Sequence, residues 1–308
     1  MRPESTRKAW KWLCIAVSVL ALIWTAGLLW KAWPAISLAL PRLHVSWLVL
    51  ALIGMAVSAY LAFEAFLELF REISNRSSRR LHVAHLYFTG QLMKHLPGRV
   101  WGIAYQATAS RAASVAQWLS VNAAFMVLTT GFAVWVALAA LGLMRAPVYG
   151  LIGFFVGLVA YVIGWHPRVL GFACNCLIKV RWRALHELGN ALTSYVTSST
   201  AFKLRVFVLF FLSWLVYLMA WAFFGVAWPG IGPGNGVLLC AFYTVAWLIG
   251  YLSLISPSGL GVRELAFVAL AHKFPPDVVA GVAIIGRASL LVIDIAMGLI
   301  FLPFRKSE

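Results

Sequence analysis

The sequence predicts an all-α integral membrane protein, a polytopic bundle of about seven to eight transmembrane helices with two broken, re-entrant segments and a two-fold internal repeat. Three observations predict this fold class. Of the 308 residues, 63% are hydrophobic and only 11% are charged, whereas ordinary soluble domains are about 45–50% apolar and about 25% charged. Seven stretches are long and apolar enough to cross a bilayer. Two further stretches combine apolar runs with breaks made of Pro and Gly.

The composition excludes a soluble domain, because folding cannot remove this much apolar surface from water in one core. The excess of 25 Lys and Arg over 9 Asp and Glu gives a net charge of +16. A basic protein often binds nucleic acid, but these charges occur in short clusters between apolar runs. We therefore expect membrane topology, and not nucleic acid, to account for the charge.

The candidate metal ligands do not form a site pattern. The four cysteines lie in or beside apolar segments without ligand spacing. His82 and His85 are three positions apart, but no Cys, Asp or Glu follows at ligand spacing, so we expect interfacial histidines. The sequence predicts no metal site and no cofactor.

A helix needs about 20 mostly apolar residues to cross the hydrocarbon core. The first qualifying window is longer than the apolar core of a cleaved signal peptide, so we expect it to remain as an anchor. The last window carries two charges. The seven windows are 12–33, 46–70, 116–143, 148–165, 206–228, 237–255 and 278–303.

The orientation follows from the short loops, because Lys and Arg collect on the cytoplasmic side. The N-terminus, the loop after the second window and the loop at 166–205 are all rich in Lys and Arg, whereas the intervening loops have few or none. We therefore expect a multi-pass protein of the cell's inner (cytoplasmic) membrane with a cytoplasmic N-terminus. If segment 256–276 crosses, eight spans result and Arg305 and Lys306 are cytoplasmic. If this segment only re-enters the membrane, the chain has seven spans, and Arg305 and Lys306 lie on the outside, against the positive-inside rule.

Two stretches are too polar for plain spans and too apolar for loops. The segment 81–111 is broken at Pro97 and Gly98, and the segment 256–276 is broken from Pro257 onward. Irregular backbone at membrane depth must be buried in protein or line a watery cavity, because lipid cannot satisfy its N–H and C=O groups. The broken segments therefore predict a cavity.

The two breaks resemble one another. Each has Pro and Gly, then an Arg, then a short apolar helix, with Arg99 in the first and Arg263 in the second, and they lie about 160 positions apart. Interrupted segments at corresponding positions of two halves indicate a transporter's binding site; chance recurrence of Pro and Gly is the alternative. Half-helix N-termini attract anions, so an Arg beside each predicts a phosphate site.

We predict one transmembrane domain over 1–308, with a first half at 1–165, a cytoplasmic amphipathic loop at 166–205 and a second half at 206–308. An ionisable residue inside a membrane span costs free energy and therefore indicates a function. A structural network of salt bridges explains these residues equally well. Arg287 and Asp294 lie seven residues apart, too far to form an ion pair with each other. Each therefore needs another partner, and Arg263 and Glu264 are the candidates. The candidate substrate-binding residues, none of them catalytic, are Glu64, Lys94, Pro97, Gly98, Arg99, Trp101, Pro257, Gly259, Gly261, Arg263, Glu264, Arg287 and Asp294.

The run HLPGRVWGIAYQATASRAAS at 95–114 and the run SPSGLGVRELAF at 256–267 resemble the transmembrane domain of the lysylphosphatidylglycerol synthase and flippase family. The resemblance covers nearly the whole chain. It implies a stand-alone, flippase-like membrane protein, because bifunctional members carry a separate synthase domain and this chain ends at Glu308. The matching residues are Pro97, Gly98, Trp101 and Gly102, then Pro257, Gly259, Gly261, Arg263 and Glu264.

Two departures from the family's pattern stand out. Tyr105 and Gln106 occupy the place where the resemblance implies a Gly-Arg pair, and Asn122 is the polar residue of the following span, where relatives often carry an acid. Lysylphosphatidylglycerol is therefore not assumed as the substrate.

The first functional hypothesis is a flippase-like transporter that moves an anionic lipid or a lipid-linked substrate, a glycolipid or polyprenyl phosphate, across the membrane. Its partners are membrane lipids with anionic head groups and no nucleic acid. The alternative is an accessory subunit of a glycosyltransferase or lipid-synthesis system. An integral-membrane transferase is disfavoured, because the outward loops lack the carboxylate pair that such an enzyme uses, and no nucleotide-binding GxxxxGK[ST] motif occurs. We expect no enzymatic activity.

Overall fold

A computed structural model describes residues 43–74, 79–93, 101–109, 113–143, 147–164, 167–179, 195–252 and 262–306, with isolated positions at 30, 33, 34, 37, 41, 189 and 193. Most of the first apolar window lies outside the described residues. So do Lys94, Pro97, Gly98 and Arg99 of the first break, and Pro257, Gly259 and Gly261 of the second.

The described residues are mainly helical, with no strand among them. Ten α-helices have described bounds: α1 (Val45–Ser74), α2 (Arg80–Met93), α3 (Trp101–Ala109), α4 (Val115–Leu143), α5 (Pro147–Gly164), α6 (Pro167–Lys179), α7 (Thr200–Ala227), α8 (Gly232–Leu252), α9 (Val262–Leu270) and α10 (Pro276–Phe301), followed by a 3₁₀ turn, Leu302–Lys306.

Five of these helices are long and apolar enough to cross a membrane, and they correspond to α1, α4, α7, α8 and α10. The segment Val148–Val159 of α5 is a shorter apolar helix. The prediction of an all-helical, multi-pass membrane protein is therefore confirmed. A helix satisfies its own backbone hydrogen bonds, which is what an apolar solvent requires.

Helices α1 and α7 run antiparallel and define the two ends of the bundle. At one end the His44 N–H donates to the Ala227 carbonyl, 3.0 Å away. At the other end Arg205 lies 3.1 Å from Glu68. We call the end that carries Glu68 and Arg205 the basic end, because it also holds Arg71, and the end with His44 the opposite end.

Helices α2 and α3 form an antiparallel hairpin that opens toward the basic end. The closest approach is at Gly90, because a Cβ placed on Gly102 would lie 2.6 Å from the Gly90 carbonyl oxygen. After the hairpin, α4 begins beside the end of α1, where Gln117 donates to the Ser74 carbonyl at 3.1 Å. Helix α4 then pairs with α5, and α7 pairs with α8, through close contacts between small residues.

Helix α10 runs from the opposite end to the basic end. Near its start, Gly281 packs directly on the ring of Trp228, which follows α7. At its finish, the Phe301 ring is 6.4 Å from Phe63 of α1 and 4.9 Å from Phe88 of α2. The described tail after α10 is therefore at the same end as Arg71 and Arg205.

Helix α9 is a short element that lies between α8 and α10. The Phe267 ring lies 5.7 Å from the Tyr243 ring of α8. The turn after α9 brings Phe274 to 6.5 Å from Phe242 of α8. Glu264, in the first turn of α9, pairs with Arg287, which is well inside α10, whereas the chain enters α10 at Pro276, at the opposite end. Helix α9 therefore points from the interior toward the opposite end.

Candidate functional site

An ion pair joins α9 to α10. Glu264 lies in the first turn of α9, and its carboxylate accepts a hydrogen bond from Arg287 of α10. The side chains are 13% and 34% exposed, respectively. A charge in an apolar environment is expensive unless it is paired. The expectation that Arg287 finds its partner in the 263–264 pair is confirmed.

The neighbouring Arg263 is held differently. Its guanidinium carbon lies 4.0 Å from the centroid of the Tyr243 ring, at cation–π distance. Within the described part of the chain, Arg263 makes no hydrogen bond or ion pair. With Glu264 and Arg287 neutralising each other, Arg263 and the positive end of the α9 dipole favour an anion here.

Asp294 lies two turns beyond Arg287 on α10, about 10 Å further along the axis at 1.5 Å per residue. It interacts electrostatically with Tyr87 of α2. One turn later, Gly298 packs against Leu92, close to the end of α2. Helix α10 is thus contacted by the α2–α3 hairpin on its basic-end half and by α9 near Arg287.

The structure therefore brings the two interrupted segments to one helix. Trp101, the first residue of α3, and Val262, the first residue of α9, each follow directly on a break of the sequence. The breaks themselves hold seven of the thirteen candidate residues and lie outside the described residues. Arg263, Glu264, Arg287 and Asp294 of the remaining candidates lie on α9 and α10.

A polar cluster inside the hairpin was not predicted from the sequence. His85 Nε2 lies 2.8 Å from the Tyr105 hydroxyl, and Gln106 Oε1 accepts a hydrogen bond of 2.7 Å from Asn122 Nδ2. His82 and His85 are 3% and 1% exposed, so both are buried in the protein, where we had expected interfacial side chains.

Two amide side chains that the sequence analysis singled out are in contact with each other. Gln106 Oε1 accepts the hydrogen bond from Asn122 Nδ2, and this neutral bond joins α3 to α4. Both amides are visible in the sequence, but the contact between them depends on the fold.

A groove of 440 Å³ runs between α3 and α4 beside this amide pair. Its volume lies within the range of about 300–1,000 Å³ that is typical of small-molecule sites. The lining is apolar except for Asn122 and Thr130. The lining residues are Ile103, Leu119, Asn122, Ala123, Met126, Val127 and Thr130.

Glu64 belongs to a second polar cluster, near the basic end. Its carboxylate accepts a hydrogen bond from Arg80, which also contacts the Tyr60 hydroxyl. Burial disfavours the charged form of Arg80, but Glu64 and Tyr60 outweigh this effect and raise the pKa of the guanidinium. Glu68 is bonded to both Arg71 and Arg205, at 3.2 and 3.1 Å. Glu64 is thus part of an ion-pair network that joins α1 to α2.

Among the described residues, no group of three or more His, Cys, Asp or Glu side chains could hold a metal ion. Comparisons with protein-family models, with curated proteins and with solved structures find no match. Fold and site together define a class: a multi-pass α-helical membrane protein in which an ion pair joins α9 to α10 and a polar cluster joins α2, α3 and α4.

Proposed function

We propose that this chain is a flippase-like transporter that moves an anionic lipid or lipid-linked substrate across the cytoplasmic membrane, and that it belongs with the lysylphosphatidylglycerol synthase and flippase transmembrane domains. One observation carries the proposal: the α2–α3 hairpin and α9 contact different parts of α10, with Arg287 at the contact with α9 and Asp294 beside Tyr87 of the hairpin. Charged residues beside broken helices are typical of transport sites.

An inverted repeat supports this proposal. Pro276, which begins α10, lies 161 positions after Val115, which begins α4. The helices that precede them in the described chain, α3 and α9, belong to the two interrupted segments. The equivalent helices run in opposite directions, since α4 leaves the basic end whereas α10 arrives there. Repeats of inverted topology are a common architecture of secondary transporters, with the substrate site at the interface of the halves.

The direction of α10 also supports the eight-span topology. Its end lies beside Phe63 and Phe88, near the ion pairs of the basic end. Arg305 and Lys306 would then be cytoplasmic together with Arg71 and Arg205, as the positive-inside rule requires. On this topology, segment 256–276 returns the chain to the opposite side before α10 begins, and the α2–α3 hairpin enters and leaves from the cytoplasmic side.

The ion pair suggests how a head group is bound and released. A substrate phosphate that approaches the N-terminus of α9 meets Arg263 first and then competes with Glu264 for Arg287. Charge-assisted bonds to a phosphate are about as strong as those to a carboxylate, so the exchange is close to balanced and therefore reversible. The Glu264 carboxylate restores the empty site when the head group leaves.

The test is lipid movement in vesicles that contain the purified full chain. A fluorescent phosphatidylglycerol is placed in the inner leaflet, and its exposure to an external quencher is measured over time. We expect Arg263→Gln to slow the movement by about tenfold or more, since about 1.4 kcal/mol of binding or barrier energy corresponds to tenfold. The matched control is Arg71→Gln, which removes an exposed arginine of the basic end.

Equal rates in wild type, Arg263→Gln and empty vesicles would contradict the transport proposal for this lipid class. In that case a scaffold role becomes the better explanation, and co-purification of a glycosyltransferase or lipid-synthesis enzyme from membranes is the observation that would support it.

A further inference from the structure

The repeat relates the groove between α3 and α4 to the ion pair between α9 and α10. A shift of 161 positions takes Ile103 to Glu264 and Met126 to Arg287. Glu264 and Arg287 form an ion pair, whereas Ile103 and Met126 line the groove. Equivalent positions are therefore charged in one half and apolar in the other.

The groove has one helix face as a wall. Its α4 side consists of positions 119, 122, 123, 126, 127 and 130, which is the spacing of one helix face over three turns. Among the described residues of α3, Ile103 lines the groove opposite this face.

Position in the bundle determines what can enter this groove. Helix α4 is one of the five candidate spans, and Leu119 on the groove face is 42% exposed. The surroundings of such a face in a bilayer are hydrocarbon chains. The Nδ2 group of Asn122 already donates to Gln106 Oε1 and to the Trp118 carbonyl.

We propose that the groove binds a hydrocarbon chain of the lipid whose anionic head group is held at Arg263 and Arg287. The two halves of the repeat are then specialised, one for the apolar part and the other for the charged part of an amphiphile. This inference rests on the proposed function for the identity of its ligand, but chain binding in the groove is measured without transport.

The probe is phosphatidylglycerol with a photoactivatable diazirine at mid-chain, added in trace to phosphatidylglycerol vesicles that contain the full protein. After irradiation, labelled positions are mapped by mass spectrometry. We expect labelling of residues 119–130 to exceed labelling of the lipid-facing positions of α7, such as Val208 and Leu212, by about tenfold, or about 1.4 kcal/mol of preference. Labelling of the two helices to the same extent would overturn the proposal.

A variant pair sharpens this test. Ala123→Trp fills the groove and is expected to remove the excess labelling, whereas Val208→Trp places the same ring on an exposed position of α7 and is expected to leave it unchanged. Excess labelling that persists in Ala123→Trp contradicts the groove as the binding site. The comparison of α4 with α7 in the wild-type protein tests the proposal even if one of the variants does not fold.

The two experiments distinguish failure of the transport proposal from failure of the groove proposal. Groove labelling as expected, together with no lipid movement in the vesicle assay, leaves the groove as a lipid-chain site and removes the transport function. Lipid movement with no excess labelling keeps the transporter and removes the groove.

Discussion

Glu264 and Arg287 illustrate what the sequence can and cannot predict about a single side chain. The two-turn separation of Arg287 from Asp294 already indicated that Arg287 needs a partner on another helix, and the 263–264 pair was the nearest candidate. Which member of that pair meets Arg287 depends on how α9 is rotated about its own axis. That rotation is set by tertiary packing, such as the Phe267–Tyr243 contact, and has no signature in the local sequence.

At the residue scale we predict that Glu264→Gln destabilises the protein, because it leaves Arg287 without its carboxylate. A fully buried pair would lose about 3–5 kcal/mol; with Arg287 34% exposed, we expect about 1–3 kcal/mol. Thermal unfolding of the purified protein in detergent measures the difference. The exchanged double variant, Glu264→Arg with Arg287→Glu, should recover most of the stability.

The exchanged variant also separates two roles of this pair. If it regains both stability and lipid movement, the pair is purely structural. Regained stability without movement is the result expected for a binding site, since the positive charge has moved from α10 to α9.

At the scale of helices, five of the seven apolar windows coincide with described helices that are long enough to cross a membrane, but hydropathy located the helix ends less well. The fifth apolar window was predicted at 206–228, but α7 begins at Thr200. Ser199 caps the helix by accepting a hydrogen bond from the Phe202 N–H at 3.2 Å. Lys203 and Arg205 lie in the first turns, where their long side chains reach the polar end of the bundle. A hydropathy window ends at such charges, whereas helical hydrogen bonding continues through them.

The α2–α3 hairpin gives the prediction that belongs to this scale. Gly102→Ala adds a Cβ within 2.6 Å of the Gly90 carbonyl oxygen, so the two helices must separate. We expect a loss of about 1–3 kcal/mol, typical of overpacking, together with weakening of the His85–Tyr105 hydrogen bond. Thermal unfolding measures the loss of stability, and hydrogen exchange of the α3 amides measures how readily α3 opens once its packing on α2 is weakened.

The control is Ala104→Val, which enlarges an exposed position of the same helix and should change little. If Gly102→Ala is as stable as Ala104→Val, the close approach of α2 and α3 does not hold the hairpin together.

At the scale of the whole molecule, the sequence predicted the class and the two corresponding breaks, and the structure adds the direction of each helix. Charge counts left two topologies open, because only Arg305 and Lys306 bear on the final loop. The direction of α10 depends on contacts with residues more than 200 positions away, such as Phe301 with Phe63 and Phe88. No local pattern encodes such contacts.

The topology is testable in cells. A green fluorescent protein fused after Glu308 should fluoresce, because it folds in the cytoplasm, and alkaline phosphatase at the same place should be inactive. Alkaline phosphatase inserted between Pro229 and Gly230, in the turn at the opposite end, should be active. The reverse result at Glu308 would exclude the eight-span topology.

The arrangement along α10 has a consequence for the membrane voltage. A bilayer spreads the potential over about 30 Å of hydrocarbon, whereas only about 10 Å of α10 separates Arg287 from Asp294. If polar surroundings reach both residues, the voltage falls mainly across that short interval. A singly charged head group that moves from one of these residues to the other would then gain or lose nearly the full electrical energy of crossing the membrane, about 2.3 kcal/mol per 100 mV. Lipid movement would therefore respond steeply to membrane potential.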